Sequence, residues 1–182
     1  MAEIKPFIGV KRVWYGDAVK TVTTPATGYT ATELKTQIGK MTEVKNVHQD
    51  TWGYEESDAD ITEYVNELTG QPYYRDVVKA AVPTVKFTIG QYDFATKAAL
   101  QGGKASADGW ERKDMTAQIE KSIVAMTKSG QFIFFPKASI IGKGEMAEKN
   151  IGLGVSAVPL ETGVDGLAAE KWFDGTAVKL DS

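Results

Sequence analysis

The 182-residue chain has no cysteine. Disulfides, thiolate zinc sites, iron–sulfur clusters and a cysteine nucleophile are therefore excluded. It has a single histidine, His48. One imidazole cannot build a multi-histidine zinc site or an H-E-x-x-H pattern. A Ser-His-Asp triad would have to use it, and no G-x-S-x-G elbow accompanies it. His48 reads as structural or simply exposed. Charge of one sign is scarce too: 21 basic and 24 acidic residues leave a net −3. A nucleic-acid binder usually carries a basic patch, so this balance argues against one. The same balance suits a surface that phosphate must slide past. No apolar run approaches the roughly 18 to 20 residues of a membrane-spanning helix. The opening Met1-Ala2-Glu3-Ile4-Lys5-Pro6 lacks a basic-then-apolar targeting pattern. The expected placement is a cytoplasmic, soluble chain.

What is present is a β-rich sequence long enough for one domain with a core, expected over residues 1–182 without repeat or linker. The strongest block runs from Lys121 to Leu160. Ser122-Ile123-Val124-Ala125-Met126 leads to a turn at Lys128-Ser129-Gly130. Phe132-Ile133-Phe134-Phe135 continues through Ala138-Ser139-Ile140-Ile141. A charged break at Lys143 to Lys149 precedes Ile151 to Val158. The middle strand is apolar on both faces, with Phe132, Phe134 and Ile140 on one and Ile133, Phe135 and Ile141 on the other. A strand open to water on one face should alternate. This one calls for cover from a second layer or a second subunit, which favours an assembling β-protein over a catalytic one.

Elsewhere, Val10–Tyr15 predicts a first strand, with Val19–Thr23 as its hairpin partner. Thr30-Ala31-Thr32-Glu33 fits a capping box, with Leu34 and Ile38 on one helical face and Gly39 as the stop. Met41–Val47 predicts a strand, and Glu55 to Asp60 a solvated acidic loop. Ile61–Leu68 reads as strand or helix, and Gly70-Gln71-Pro72 as a break. Thr84–Gly90 alternates cleanly, burying Val85, Phe87 and Ile89. Asp93 caps a short helix from Phe94 to Leu100, stopped by Gly102-Gly103. Residues 104–117 read as loop, and Asp165 to Phe173 as a short helix.

Candidate chemistry is sparse. Glu55, Glu56, Asp58 and Asp60 lack calcium-loop spacing. Gly142-Lys143-Gly144 and Gly152-Leu153-Gly154 fit no phosphate-binding pattern. Gly152 and Gly154 instead predict close packing against a bulky neighbour such as Phe134 or Phe135. No catalytic, cofactor-binding or metal-ligating residue is assigned. Tyr73-Tyr74-Arg75 is an aromatic pair beside arginine, a composition enriched at interfaces.

The order of elements resembles the major tail tube proteins of long-tailed bacteriophages and prophages, to which the tube of type VI secretion is similar. The likeness lies in Pro83 to Asp93 with the helix to Gly103, and in Phe135 to Ile141 with the closing strand Ile151 to Leu160. It spans residues 8–161. The resemblance implies a mainly β (α+β) fold: an antiparallel β-sandwich or half-barrel with one or two short flanking helices. It implies six copies in a ring, rings stacked into a tube, and DNA passing through the lumen without specific binding. The implied partners are further copies of the chain and other tail proteins (tape measure, sheath or terminator), with no membrane. The implied location is the virion tail, assembled in the bacterial cytoplasm. By the same resemblance, Asn66–Val82 is a long loop whose Tyr73, Tyr74 and Arg75 help contact the next ring. The N-terminal arm 1–8, ending at Ile8, does likewise, and Phe132, Phe134 and Phe135 have a place at subunit seams. Residues 163–182 form a C-terminal extension beyond the simplest version of that family. The alternatives are another tail or baseplate ring protein, or a β-sandwich carbohydrate-binding module presenting Tyr73, Tyr74, Trp52 and Trp110.

Overall fold

The computed structural model describes residues 6–180. The first five residues of the expected N-terminal arm, and the last two of the C-terminal extension, lie outside them. In chain order the strands are β1 (Arg12–Asp17), β2 (Thr42–Glu43), β3 (Gly53–Glu56), β4 (Asp60–Asn66), β5 (Gln71–Lys79) and β6 (Pro83–Ile89). They continue as β7 (Lys104–Ala105), β8 (Trp110–Glu111), β9 (Ile119–Met126), β10 (Phe132–Ala147), β11 (Asn150–Pro159) and β12 (Lys171–Phe173). The helices are α1 (Ala31–Ile38), α2 (Phe94–Gln101) and the single turn α3 (Gly175–Val178). Strands take 43% of the chain and helices 13%, so the fold is mainly β, with antiparallel pairing.

One sheet orders its strands β2-β1-β9-β10-β11-β6-β3, with β12 added to β10. The sheet rolls around its own inner face. Val13 and Tyr15 of β1, Ile123 and Ala125 of β9, Ile133, Phe135 and Ile140 of β10, Leu153 and Val155 of β11, and Val85, Phe87 and Ile89 of β6 share one core. The chain between β2 and β3 closes the roll. The Val44 amide donates to the Val13 carbonyl at 2.9 Å and the His48 amide to the Thr88 carbonyl at 2.7 Å. Thus the predicted strand Met41–Val47 pairs as β2 over only two residues, then crosses from β1 to β6.

A second layer covers the outside of β1, β9 and β10. Trp14, Val124, Phe132 and Phe134 point outward into a cluster with Tyr29, Leu34, Ile38, Leu167, Phe173 and Val178. Phe134 stacks on Tyr29 at 5.1 Å between ring centroids. α1 starts where the capping box placed it: Glu33 N–H donates to Thr30 Oγ1 at 3.3 Å, and Thr30 N–H to Glu33 Oε2 at 2.8 Å. α2 is capped by Asp93, whose Oδ1 accepts from Thr96 N–H at 2.7 Å. Gly102 and Gly103, at φ 82° and 92°, end it in a conformation that favours glycine.

Several sequence expectations are corrected. Val19–Thr23 is no strand; Val19 is a loop residue whose amide is anchored on the Pro136 carbonyl at 2.9 Å, with its side chain in the outer core. Asp165–Phe173 is no helix; it ends as β12, pairing Trp172 with Ile133. Residues 163–180 thereby belong to the outer layer of the domain. The Lys143–Lys149 break is mostly strand, because β10 runs to Ala147 and turns only at Glu148-Lys149. Ile140 faces the inner core and Ile141 the solvent, the reverse of strict alternation from Phe132. The cause is a bulge: three steps from Phe135 to Ala138 on β10 match two from Ile123 to Lys121 on β9. The extra residue flips the parity, and Pro136 sits in it, where no ladder amide is needed. Gly152 and Gly154 do make close approaches, but to other neighbours. A Cβ on Gly152 would meet Thr88 Cγ2 at 2.6 Å, and one on Gly154 the Glu145 carboxylate carbon at 2.5 Å.

Candidate assembly surface

The segment expected as a loop over Asn66–Val82 is instead half of a hairpin. Among the described residues, β4 and β5 pair with each other and with no other strand, in register Ile61↔Val77, Glu63↔Arg75 and Tyr64↔Tyr74. Their turn is built by Asn66, whose Oδ1 accepts from Leu68 N–H at 2.9 Å and whose carbonyl accepts from Gly70 N–H at 2.8 Å, with Gly70 at φ 68°. At the root, Ser57 N–H donates to the Val82 carbonyl and Val82 N–H to Ser57 Oγ, each at 3.1 Å. Sequence reasoning missed β5 because Gly70-Gln71-Pro72 reads as a breaker. Here Pro72 lies near the start of a strand with a free edge, where a missing amide costs no ladder bond.

The hairpin is exposed on both faces. Every residue of β5 is exposed, as is every residue of β4 except Asn66. Tyr73 is 71% exposed, Tyr74 58%, and Leu68 at the turn 94%. Ile61, Tyr64, Val65, Val77 and Val78 add to the apolar surface. Arg75 is held against Glu63 at 2.9 Å across the strands. Tyr64 tilts against Tyr74 at 5.7 Å. A two-stranded ribbon of this kind is marginal in water without a third layer.

The remaining predicted contact residues divide. Ile8 is exposed, with its carbonyl accepting from Lys128 N–H at 2.9 Å. Phe132, Phe134 and Phe135 are not surface contacts. They are 1%, 0% and 1% exposed inside the chain's own two cores. The double cover that β10 required comes from the rolled sheet on one face and the α1 layer on the other. A further exposed apolar pair was missed: Met146 and Ile151, register partners at the β10–β11 end. Its signal was two apolar residues flanking a short charged turn.

The single histidine and the acidic segment are each engaged locally. His48 uses its backbone, its carbonyl accepting from Thr51 Oγ1 at 2.7 Å. Glu55 is ion-paired with Lys86. Among the described residues, no cluster of three or more histidine, aspartate and glutamate side chains is spaced to hold a metal ion. A cleft of about 670 Å³ lies between α1 and the Asp17–Thr23 loop. Its Glu33 carboxylate is already occupied. The Thr23 side chain and the Thr23 and Thr30 amides hold it down to about 2. Trp52 stacks on Phe87 at 6.4 Å and Trp110 Nε1 donates to the Gly102 carbonyl at 2.9 Å, and both are half-buried, whereas Tyr73 and Tyr74 are exposed. No described helix is long and apolar enough to cross a membrane. No family model matches the chain, and no curated protein matches its sequence.

Proposed function

We propose that the chain is a non-enzymatic structural subunit of a bacteriophage or prophage tail tube. It self-assembles into stacked, hexameric rings around a lumen through which DNA passes unbound. Its neighbours in the virion tail are further copies and other tail proteins such as a tape measure, sheath or terminator. The observation that carries the reading is the β4–β5 hairpin, an apolar two-stranded ribbon exposed on both faces. Such a ribbon gains stability when another surface covers it. The rolled antiparallel sheet with capped flanking helices agrees with the fold that the resemblance implies. The mild net acidity suits a wall that must not hold phosphate.

Negative-stain microscopy over a concentration series, paired with light-scattering mass, tests it. Six-membered rings or hollow tubes are the expected products. Replacing residues 58–81 by a short Gly-Ser turn between the bonded Ser57 and Val82 should abolish them and leave the folded body intact. A wild-type chain that stays monomeric at every concentration overturns the reading.

A further inference from the structure

We propose that Asp108–Gly109, in the link between β7 and β8, is a self-modification site. There the Gly109 amide closes on the Asp108 side chain, and the main chain is rerouted through that side chain as an isoaspartyl link. The product disturbs the end of α2, which the neighbouring Trp110 caps.

The chain has three Asp-Gly pairs and no Asn-Gly pair. In each, a glycine without a side chain leaves the attacking amide unshielded, so the fold decides which pair reacts. Asp108 is exposed at the tip of the β7–β8 link. Ser106 N–H and Ser106 Oγ donate to the Gly109 carbonyl at 2.8 and 3.3 Å. Among the described residues, the Gly109 amide donates no hydrogen bond, and the Asp108 carboxylate has no hydrogen bond or ion pair. A Cβ placed on Gly109 would meet nothing within 4 Å, so a ring has room to form. Asp165–Gly166 is pinned instead. Leu167 N–H donates to the Val164 carbonyl at 3.1 Å across the pair, and the Gly166 carbonyl accepts from Tyr29 N–H at 3.2 Å. Gly166 also backs onto the Pro25 carbonyl, so turning Asp165 towards the next amide would break this turn. At Asp174–Gly175 the carboxylate is engaged. Asp174 Oδ1 accepts from Thr176 N–H at 2.8 Å and Thr176 Oγ1 at 2.7 Å as the cap of α3, and Gly175 packs on the Gly130 carbonyl.

The step balances without a co-reactant. The Gly109 nitrogen bonds to the side-chain carboxyl carbon of Asp108. The amide proton leaves with the hydroxyl of the protonated carboxyl as water, giving a cyclic succinimide. Water then adds back at either imide carbonyl. Opening at the side-chain carbonyl restores aspartate. Opening at the main-chain carbonyl leaves Gly109 attached through the side chain and frees the α-carboxylate. No electrons are transferred, and the main chain gains a methylene. Ser106–Gly109 is the whole connection between the register partners Ala105 and Trp110. So short a link cannot absorb the extra atom without moving Trp110. Trp110 Nε1 holds the Gly102 carbonyl at 2.9 Å, and Lys97 Nζ lies 4.3 Å from the centroid of its ring. Displacing the indole frees a carbonyl at the end of α2 and loosens the helix there.

The test is to age the full chain in buffer and in urea, then read each Asp-Gly pair by peptide mapping with fragmentation that separates aspartyl from isoaspartyl links. In buffer, isoaspartate should accumulate at Asp108 severalfold faster than at Asp165 and Asp174, passing through a form lighter by one water. In urea the three pairs should react at similar rates, because the following residue is the same in each. Asp108→Asn, which loses ammonia in place of water, should speed the reaction at this position severalfold. Asp108→Glu, which would have to close a larger ring, should stop it. Both substitutions fall at an exposed tip, so the body should fold. Hydrogen exchange at the Gly102 amide, which donates to the Ala98 carbonyl, should quicken in aged wild type and not in aged Asp108→Glu. Equal rates at the three pairs in buffer, or a faster reaction at Asp165 or Asp174, would overturn the assignment of the site. So would an Asp108 that reacts in urea and stays intact in buffer. Isoaspartate at Asp108 with unchanged exchange at Gly102 would overturn the coupling to α2.

Discussion

β10 and the β4–β5 hairpin are both rich in aromatic and branched residues, yet one is covered twice and the other not at all. Phe132, Phe134 and Phe135 are buried by the chain itself, whereas Tyr73 and Tyr74 stand in solvent. Apolar content alone does not distinguish a core strand from an interface strand. What distinguishes them is whether the rest of the chain supplies a layer. β10 is paired on both edges and lies between two clusters. Among the described residues, the hairpin pairs only with itself.

The comparison predicts opposite consequences for two aromatic truncations. Phe134→Ala removes a fully buried ring from the outer core and should cost about 3–5 kcal/mol of monomer stability. Tyr74→Ala should move monomer stability by less than about 0.5 kcal/mol and weaken assembly instead. Urea midpoints below the assembly concentration, read beside light-scattering mass, separate the two. If Tyr74→Ala lowered the midpoint as far as Phe134→Ala does, the hairpin would belong to the core and the contrast would collapse.

Much of the body was legible in the sequence because its signals are local. Thr30 with Glu33, Asp93 before Phe94, and Val85-Phe87-Ile89 each specify their element within a few residues. The failures are non-local. Alternation could not reveal the bulge at Pro136, so Ile140 and Ile141 were assigned to the wrong faces. Val19 looked like a strand residue, but what fixes it is the distant Pro136 carbonyl. Of the candidate surface, composition singles out Tyr73, Tyr74 and Arg75 and place in the arm singles out Ile8; all four are exposed. The three phenylalanines were misassigned because sequence could say that β10 needs two covers, but not that α1 and the C-terminal segment provide the second.

Two glycines sharpen the contrast between buried and yielding surroundings. Gly142 backs onto α2: an added Cβ would clash with the Leu100 carbonyl, lying 2.8 Å from its carbon and 2.9 Å from Gln101 Cα. Backbone cannot swing aside, so Gly142→Ala should cost about 1–3 kcal/mol. The nearest atoms at Gly154 belong to the Glu145 carboxylate, the end of a flexible side chain. Glu145 can rotate away, losing its bonds to Thr88 and Lys143, so Gly154→Ala should cost less. Thermal midpoints of the two variants give the order. The reverse order would mean that α2 is loosely seated and the Glu145 contact fixed.

The smallest effect concerns the cap of α1, at the border between the outer layer and solvent. Glu33 is held down to about 2 by the Thr23 side chain and by the Thr23 and Thr30 amides, against roughly 4.3 in an unfolded chain. A depressed carboxyl stabilises the fold above its unfolded value, and that contribution fades as pH falls from about 4.3 towards 2. Glu33→Gln should remove this dependence and cost at most about 1 kcal/mol at neutral pH, since water screens the site. The difference in urea midpoint between wild type and Glu33→Gln should therefore shrink on acidification through that window. A difference that stays constant from neutral pH down to 2 would show that the carboxylate's charge contributes nothing there.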